Sequence, residues 1–196
     1  MKAIQKIRDE HRSISAVLHG LKQLARDAQD PKVKPEFAVF RAMIHYIDEF
    51  PEKLHHPKED QYLFPPIAGH APGAQKLVDA LRAEHKDSAK LIRELERALV
   101  LFEDGGAGAA RKFLEAVDAY AEFHWRHMRK EEQELLPLGE KHLSARDWEA
   151  IDAAFDANRD PIAGIREKDF RTLFTRIVSL APEPIGLGSR WKKAGA

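Results

Sequence analysis

Two stretches of the chain repeat the same chemistry in the same register. HHPKEDQYLFP fills positions 55–65 and HMRKEEQELLP fills 127–137, so His55, Lys58, Glu59, Gln61, Leu63 and Pro65 recur as His127, Lys130, Glu131, Gln133, Leu135 and Pro137. On a helix, residues four apart lie one above the other, with Cβ atoms about 5–6 Å apart. His55 with Glu59, and His127 with Glu131, each aim an imidazole and a carboxylate at one point. Two further histidines, His11 and His85, occupy single beats of otherwise apolar helical stripes, inside the related phrases IRDEHRS and LRAEHKD. Four imidazoles and two carboxylates are thus directed at one interior region. Buried without a counter-charge, such groups cost heavily in desolvation. A pair of divalent or trivalent cations answers that cost. His11, His55, Glu59, His85, His127 and Glu131 are therefore the candidate metal ligands. A lone histidine on an apolar stripe is most often a core residue with one hydrogen bond. That account does not explain a matched set that occurs twice.

The elements that must hold these groups follow from hydrophobic periodicity. Apolar beats at 4, 7, 14, 18, 21 and 25 predict a first helix, which fades where Pro31 and Pro35 interrupt DAQDPKVKP. A second helix is predicted from about Phe37 to Leu63, with Pro51 bending it or loosening a turn. PPIAGHAPG reads as a loop, and a third helix carries Val78, Leu81, Ser88, Ile92, Leu95, Leu99 and Phe102 with His85 on the same stripe. The glycine-rich EDGGAGA ends it. A fourth helix is expected from about Ala109 to Leu136, with Phe113, Val117, Tyr120, His124, His127 and Glu131 on one face.

The predicted fold is all-α: an up-down-up-down four-helix bundle over residues 1–140, made of two helical hairpins about a pseudo-twofold axis. Residues 141–196 are expected to form an appendage packed on the bundle. It would hold two short helices, one in SARDWEAIDAAFDAN with Ser144 as its N-terminal cap and one in KDFRTLFTRIVSL, followed by the tail APEPIGLGSRWKKAGA.

Composition narrows the chemistry. The 196-residue chain contains no cysteine, which removes thiolate zinc sites, iron–sulfur clusters and a thiol nucleophile. Any metal must then be held by nitrogen and oxygen. Lys plus Arg equals Asp plus Glu at 32 each, so the basic excess of a nucleic-acid-binding domain is missing and no nucleic-acid partner is expected. No run reaches the length of a membrane span, and the N-terminal residues lack the apolar core of a signal peptide. The expectation is a cytoplasmic protein without a membrane partner. His19, His70 and His142 are expected to be solvated, and His45 to pack rather than ligate.

The arrangement EHR, HHPKED, EHK and HMRKEE resembles the hemerythrin-like, HHE cation-binding family over roughly the first 140 residues. DWEAIDAAF, NRDP and LAPEPIGLG are similar to tails of bacterial members. The resemblance implies two iron ions joined by an oxo or hydroxo bridge, although the same donors accept zinc or manganese. Carried over by position, His11 and His55 would bind one iron, His85 and His127 the other, and Glu59 and Glu131 would bridge them.

Two departures bear on reactivity. Oxygen carriers of the family have a second histidine four residues along the third helix, where this chain has Ala89 after His85. They also end with a histidine and an aspartate five apart, against His127 and Glu131 four apart here. His56 and His124 are the candidates to replace the lost imidazole. The resulting expectation is a di-metal protein that binds or senses oxygen, nitric oxide or iron, with a small diatomic or peroxide as its ligand. The alternative is an enzyme-like centre acting on peroxide or nitric oxide, or in iron–sulfur repair. Ferritin-like iron oxidation fits less well, because its Glu-x-x-His spacing occurs only at Glu52 and His55, with His124 where the matching glutamate belongs.

Overall fold

A computed structural model describes residues 1–106, 108–156, 177, 179–182 and 185. Helix α1 runs Lys2–Asp27. A second rod begins as α2, Phe37–Ile47. It continues through a π-helical stretch π1 (Asp48–His55), one α turn α3 (His56–Lys58), a second π stretch π2 (Glu59–Leu63) and α4 (Phe64–His70). Helix α5 is Gln75–Glu103 and α6 is Ala109–Lys130. The last rod extends through π3 (Glu131–Leu135) and α7 (Leu136–His142), before α8 at Ala145–Asp156.

Cross-rod contacts fix the directions. Lys22 reaches Glu122 while His11 reaches Glu132, so α1 and the last rod are antiparallel. Arg41 pairs with Glu103 and Asp60 lies beside His85, so the second rod and α5 are antiparallel as well. Phe102 stacks on Phe113 while His85 meets His127, which sets α5 against α6. Neighbours around the bundle are α1, α2, α5 and α6 in a closed ring, the up-down-up-down order expected from sequence. The turn between α5 and α6 needs glycine: Gly105 and Gly108 have φ of 74° and 69°, in the left-handed region.

The core comes in two layers. One, with Ile14, Leu18, Leu21, Phe40, Ile47, Ile92, Leu95, Phe113 and Tyr120, fills the end of the bundle towards the α5–α6 turn. The other, with Ile4, Ile7, Leu63, Phe64, Leu81, Leu135, Trp148 and Phe155, fills the opposite end. The candidate ligands fall between them: Ile7 and Ile14 flank His11 in sequence, and Leu81 and Ile92 bracket His85. Helix α8 packs on α1 and π2, closed by a reciprocal cap in which Ser144 and Asp147 bond each other's backbone N–H. Gly139 permits this crossing, because a Cβ there would meet Ile67 and Trp148 at 3.2 Å.

Two expectations need correction. PPIAGHAPG is not a loop from its first residue, since helix continues through α4 to His70. Pro65 and Pro66 stand in the first turn of that segment, where a missing N–H leaves little unsatisfied. The fourth rod likewise runs past Leu136 to His142. The helix expected in KDFRTLFTRIVSL and the tail after it lie largely outside the described residues. Of them, Ile177, Ser179 and Leu180 are helical, and Ile177 and Ala181 are buried in the first core layer.

Candidate metal centre

The six candidate ligands are all buried: His11 on α1, His55 ending π1, Glu59 opening π2, His85 on α5, His127 on α6 and Glu131 opening π3. His11 and His55 face each other with Nε2 atoms 3.1 Å apart, and His85 and His127 do the same at 3.1 Å. Two nitrogens each bonded to one ion at about 2.1 Å lie about 3 Å apart when they take neighbouring positions. The carboxylates stand between the pairs. Glu59 places Oε1 3.3 Å from His55 and Oε2 3.7 Å from His85. Glu131 places Oε2 3.3 Å from His11 and Oε1 3.3 Å from His127. Each carboxylate thus turns one oxygen towards each histidine pair. Two four-residue donor sets result, His11–His55–Glu59–Glu131 and Glu59–His85–His127–Glu131, which share both glutamates.

Glu59 and Glu131 are fully buried, yet none of their four carboxylate oxygens has a hydrogen-bond partner. A buried carboxylate left so costs several kcal/mol on the order of its desolvation penalty, so native structures rarely keep one. Nitrogen lone pairs on two sides and bare carboxylate oxygens between them are the donor set that cations satisfy.

An outer ring of acids orients the imidazoles. His55 Nδ1 donates to Glu10 at 2.8 Å, His127 Nδ1 to Glu84 at 2.9 Å, and His11 Nδ1 to Glu132 at 2.7 Å. Asp60 lies 3.2 Å from His85 Nδ1 in poorer alignment. A proton held on Nδ1 leaves the Nε2 lone pair pointing inward. These four acids were missed in the sequence, although the signal was there: each adjoins a candidate ligand, as Glu10–His11, Glu84–His85, Glu59–Asp60 and Glu131–Glu132. A third layer follows the same repeat, with Lys130 paired to Glu84 and Lys58 3.8 Å from Glu10.

The turn loosened at Pro51 was expected and is π1, but the π turns after Glu59 and Glu131 were missed. Phe64 N–H bonds the Glu59 carbonyl and Leu136 N–H bonds the Glu131 carbonyl, each five residues back. In both copies a proline comes next, at 65 and 137. A proline ring inside an α-helix presses on the carbonyl four residues earlier, and a wider turn at that point relieves the clash. Such single-turn π insertions recur at functional sites.

The two extra histidines part company. His56 stacks on His85 at 4.2 Å and offers a nitrogen within 4.8 Å of those of His85 and His127. Its Nδ1 faces Glu52 at 3.6 Å. His124 is turned the other way, its Nε2 2.8 Å from Ser88 Oγ and 3.6 Å from Glu52. Tyr120 and Ser88 also donate to Glu52. His45 is exposed rather than packed, and His19 lies mid-helix, exposed and stacked on Trp125 at 4.4 Å. His70 is exposed and His142 partly so.

Electrostatics reflect the crowding. Burial and the neighbouring Glu131 push the Glu59 carboxyl well above the usual range. Burial also pushes Glu131 up, but the facing imidazoles of His127 and His11 overcome it and hold Glu131 well below. Burial lowers His55, whereas His11 rises despite burial because the carboxylates of Glu131 and Glu132 face it. Burial likewise opposes His127, yet Glu131 and Glu84 bring it to about 9. Each pair invites positive charge between its rings. Burial raises Glu52 as well, but the imidazoles of His124 and His56, each 3.6 Å away, win and hold it well below the usual range.

Outside the centre, a surface groove lined by Arg12, Trp125, Arg126 and Arg129 reaches His11 and Glu132. Among the described residues, no helix is long and apolar enough to cross a membrane.

A helical bundle that holds two histidine pairs across two shared carboxylates has the architecture of a cation-binding protein. Residues 2–139 match the hemerythrin HHE cation binding domain, and the chain belongs to that family. No curated protein matches the chain.

Proposed function

We propose that the protein binds two metal ions side by side, as a non-haem di-iron protein that binds or senses a small ligand such as oxygen, nitric oxide or peroxide. His11 and His55 would hold one ion, His85 and His127 the other, and Glu59 and Glu131 would span both. An oxo or hydroxo bridge would complete the pair. The observation that carries this reading is the four carboxylate oxygens without hydrogen-bond partners, divided between two facing pairs of histidine nitrogens. His56 is proposed as a fifth imidazole, on the ion of His85 and His127, with Glu52 orienting it from behind.

Bound iron would supply reversible one-electron chemistry and open positions for a small ligand. The chain's own part is to fix the imidazoles by their outer acids, exclude water with two apolar layers and keep Glu131 ionised. Elemental analysis after anaerobic loading with iron tests the stoichiometry: two ions per chain are expected, and a reproducible value of one overturns the paired site. Zinc and manganese loading run alongside would report how far the donors discriminate. Air admitted to the reduced protein should give the fully oxidised pair without a lasting oxygenated spectrum, and His56→Ala should speed that oxidation. A stable oxygenated form that releases oxygen under vacuum would restore simple carriage.

A further inference from the structure

A second buried polar group remains unused by this reading. Tyr120 is 1% exposed and donates its phenolic hydrogen to Glu52 Oε1 at 2.8 Å. Its ring lies 4.3 Å from that of His124. His124 stacks on His56 at 5.7 Å and 6°, and His56 stacks on His85 at 4.2 Å and 12°. A continuous run of rings leads from a phenol to a candidate ligand. The group is absent from the internal repeat: the positions that correspond to Tyr120, Ser88 and His56 are Asp48, Ile14 and Met128. It therefore adds something that the shared ligand scaffold does not need.

We propose that Tyr120 is a redox-active side chain, giving one electron towards the centre along the His124–His56 ring stack and its phenolic proton to Glu52. The proposal rests on the di-iron reading above. An electron taken alone from a buried phenol would leave a cation in a dry core, at a high desolvation cost. The hydrogen bond to Glu52 removes that cost, because the proton leaves as the electron does. The O–H bond breaks, Glu52 becomes the neutral acid and Tyr120 a neutral radical.

The electron acceptor is a hydroperoxide. Reducing one hydrogen peroxide to two waters takes two electrons and two protons. One electron comes from Tyr120, the other from a single remaining ferrous ion, and both protons come from solvent. The half-oxidised protein is the state in which the tyrosine is called upon, since a fully reduced pair holds both electrons itself.

The test uses the iron-loaded full chain. It is reduced, treated with one equivalent of ferricyanide, mixed with one equivalent of hydrogen peroxide and frozen for electron paramagnetic resonance. The signal of the half-oxidised iron pair should appear before peroxide and vanish after it. A radical should take its place, with hyperfine structure that changes when tyrosine is ring-deuterated. Tyr120→Phe should lose the radical while keeping its iron content and the half-oxidised signal. Tyr46→Phe and Tyr62→Phe should retain it.

If the half-oxidised signal never forms, the di-iron reading fails and this proposal falls with it. If that signal forms and is consumed without a tyrosyl radical, or the radical survives in Tyr120→Phe, the proposal alone is overturned.

Discussion

The repeat places Ile14 three residues after His11 but Ser88 three after His85, and Met128 after His127 but His56 after His55, with His56 turned to His85. The donors themselves are alike, with Nε2 atoms 3.1 Å apart in each pair and an acid behind each ring. The coverings differ as well. Lys58, in the first half, is buried beside Glu10 with its ammonium 5.4 Å from the Phe155 ring of α8, whereas its counterpart Lys130 is partly exposed beside Glu84. The repeat is thus strict at the donors that two ions would need and relaxed at several positions around them. A ligand set tolerates little change, because each group must meet a bond length; its surroundings tune reactivity and are free to diverge. One half of the centre is flanked by Ile14 and covered on one side by α8, and the other backs onto a buried polar group.

The largest effect expected is from removing metal altogether, since both halves then leave carboxylates and imidazoles facing one another. Metal at a thousandfold excess over its dissociation constant stabilises by about 4 kcal/mol per site, or about 8–16 °C in Tm for a chain of this size. Calorimetry before and after verified chelation measures it. An unchanged melting curve would mean that the site is shallow and wet, against the burial seen.

Next, the halves can be separated through their outer acids. Glu10→Gln and Glu84→Gln should each weaken metal binding by about 10–100-fold, the usual effect of losing an orienting carboxylate. Glu10 is the more buried of the two, so its change should cost more. Chelator competition on each variant gives the comparison, and equal losses would show that burial does not distinguish the halves.

A smaller effect is expected from pH. His127 is raised to about 9, above its value of 6.5 in an unfolded chain. In chelated protein its contribution to stability is full below about pH 6.5 and fades as pH rises through about 9. A ligated His127 has no proton on the inward nitrogen, so metal affinity moves the opposite way and grows over the same window. The Tm difference between loaded and chelated protein should therefore widen from pH 6.5 to 9. A gap that narrows would assign the wrong charge to the second pair.

The smallest effect belongs to the cover over the first half. Ser144→Ala removes the cap that starts α8. Tm should fall slightly and the iron content should stay the same. Loss of iron would show that α8 holds the first ion's ligands and not merely their lid.

Much of this architecture was legible in the sequence. Helical spacing is local, so His55 with Glu59 and His127 with Glu131 could be paired from four-residue steps, and His11 and His85 from the stripes they interrupt. Four helices in antiparallel order followed from the same periodicity. A loosened turn was expected at Pro51, and π1 lies there. The π turns at Glu59 and Glu131 were not read, because an α-period count carries straight through them, and the prolines six residues after each glutamate were their only local trace. PPIAGH looked like a loop for the same reason, a proline being counted as a stop where a preceding wide turn let the helix continue. His45 was expected to pack and is exposed, since a residue at the edge of a stripe is turned outward or inward by neighbouring rods that the stripe does not reveal.

By itself, then, the sequence determined which residues could share a face of one helix, and so which ligands come as pairs. Only the tertiary structure decided which pairs meet. The side chain next to a ligand points away from its own helix partner and towards another rod, so Glu10 orients His55 and Glu132 orients His11 across the bundle. For the same reason His56 turned to His85 while His124 turned to Ser88. Contacts between helices depend on how the rods pack, and no spacing along one rod encodes them.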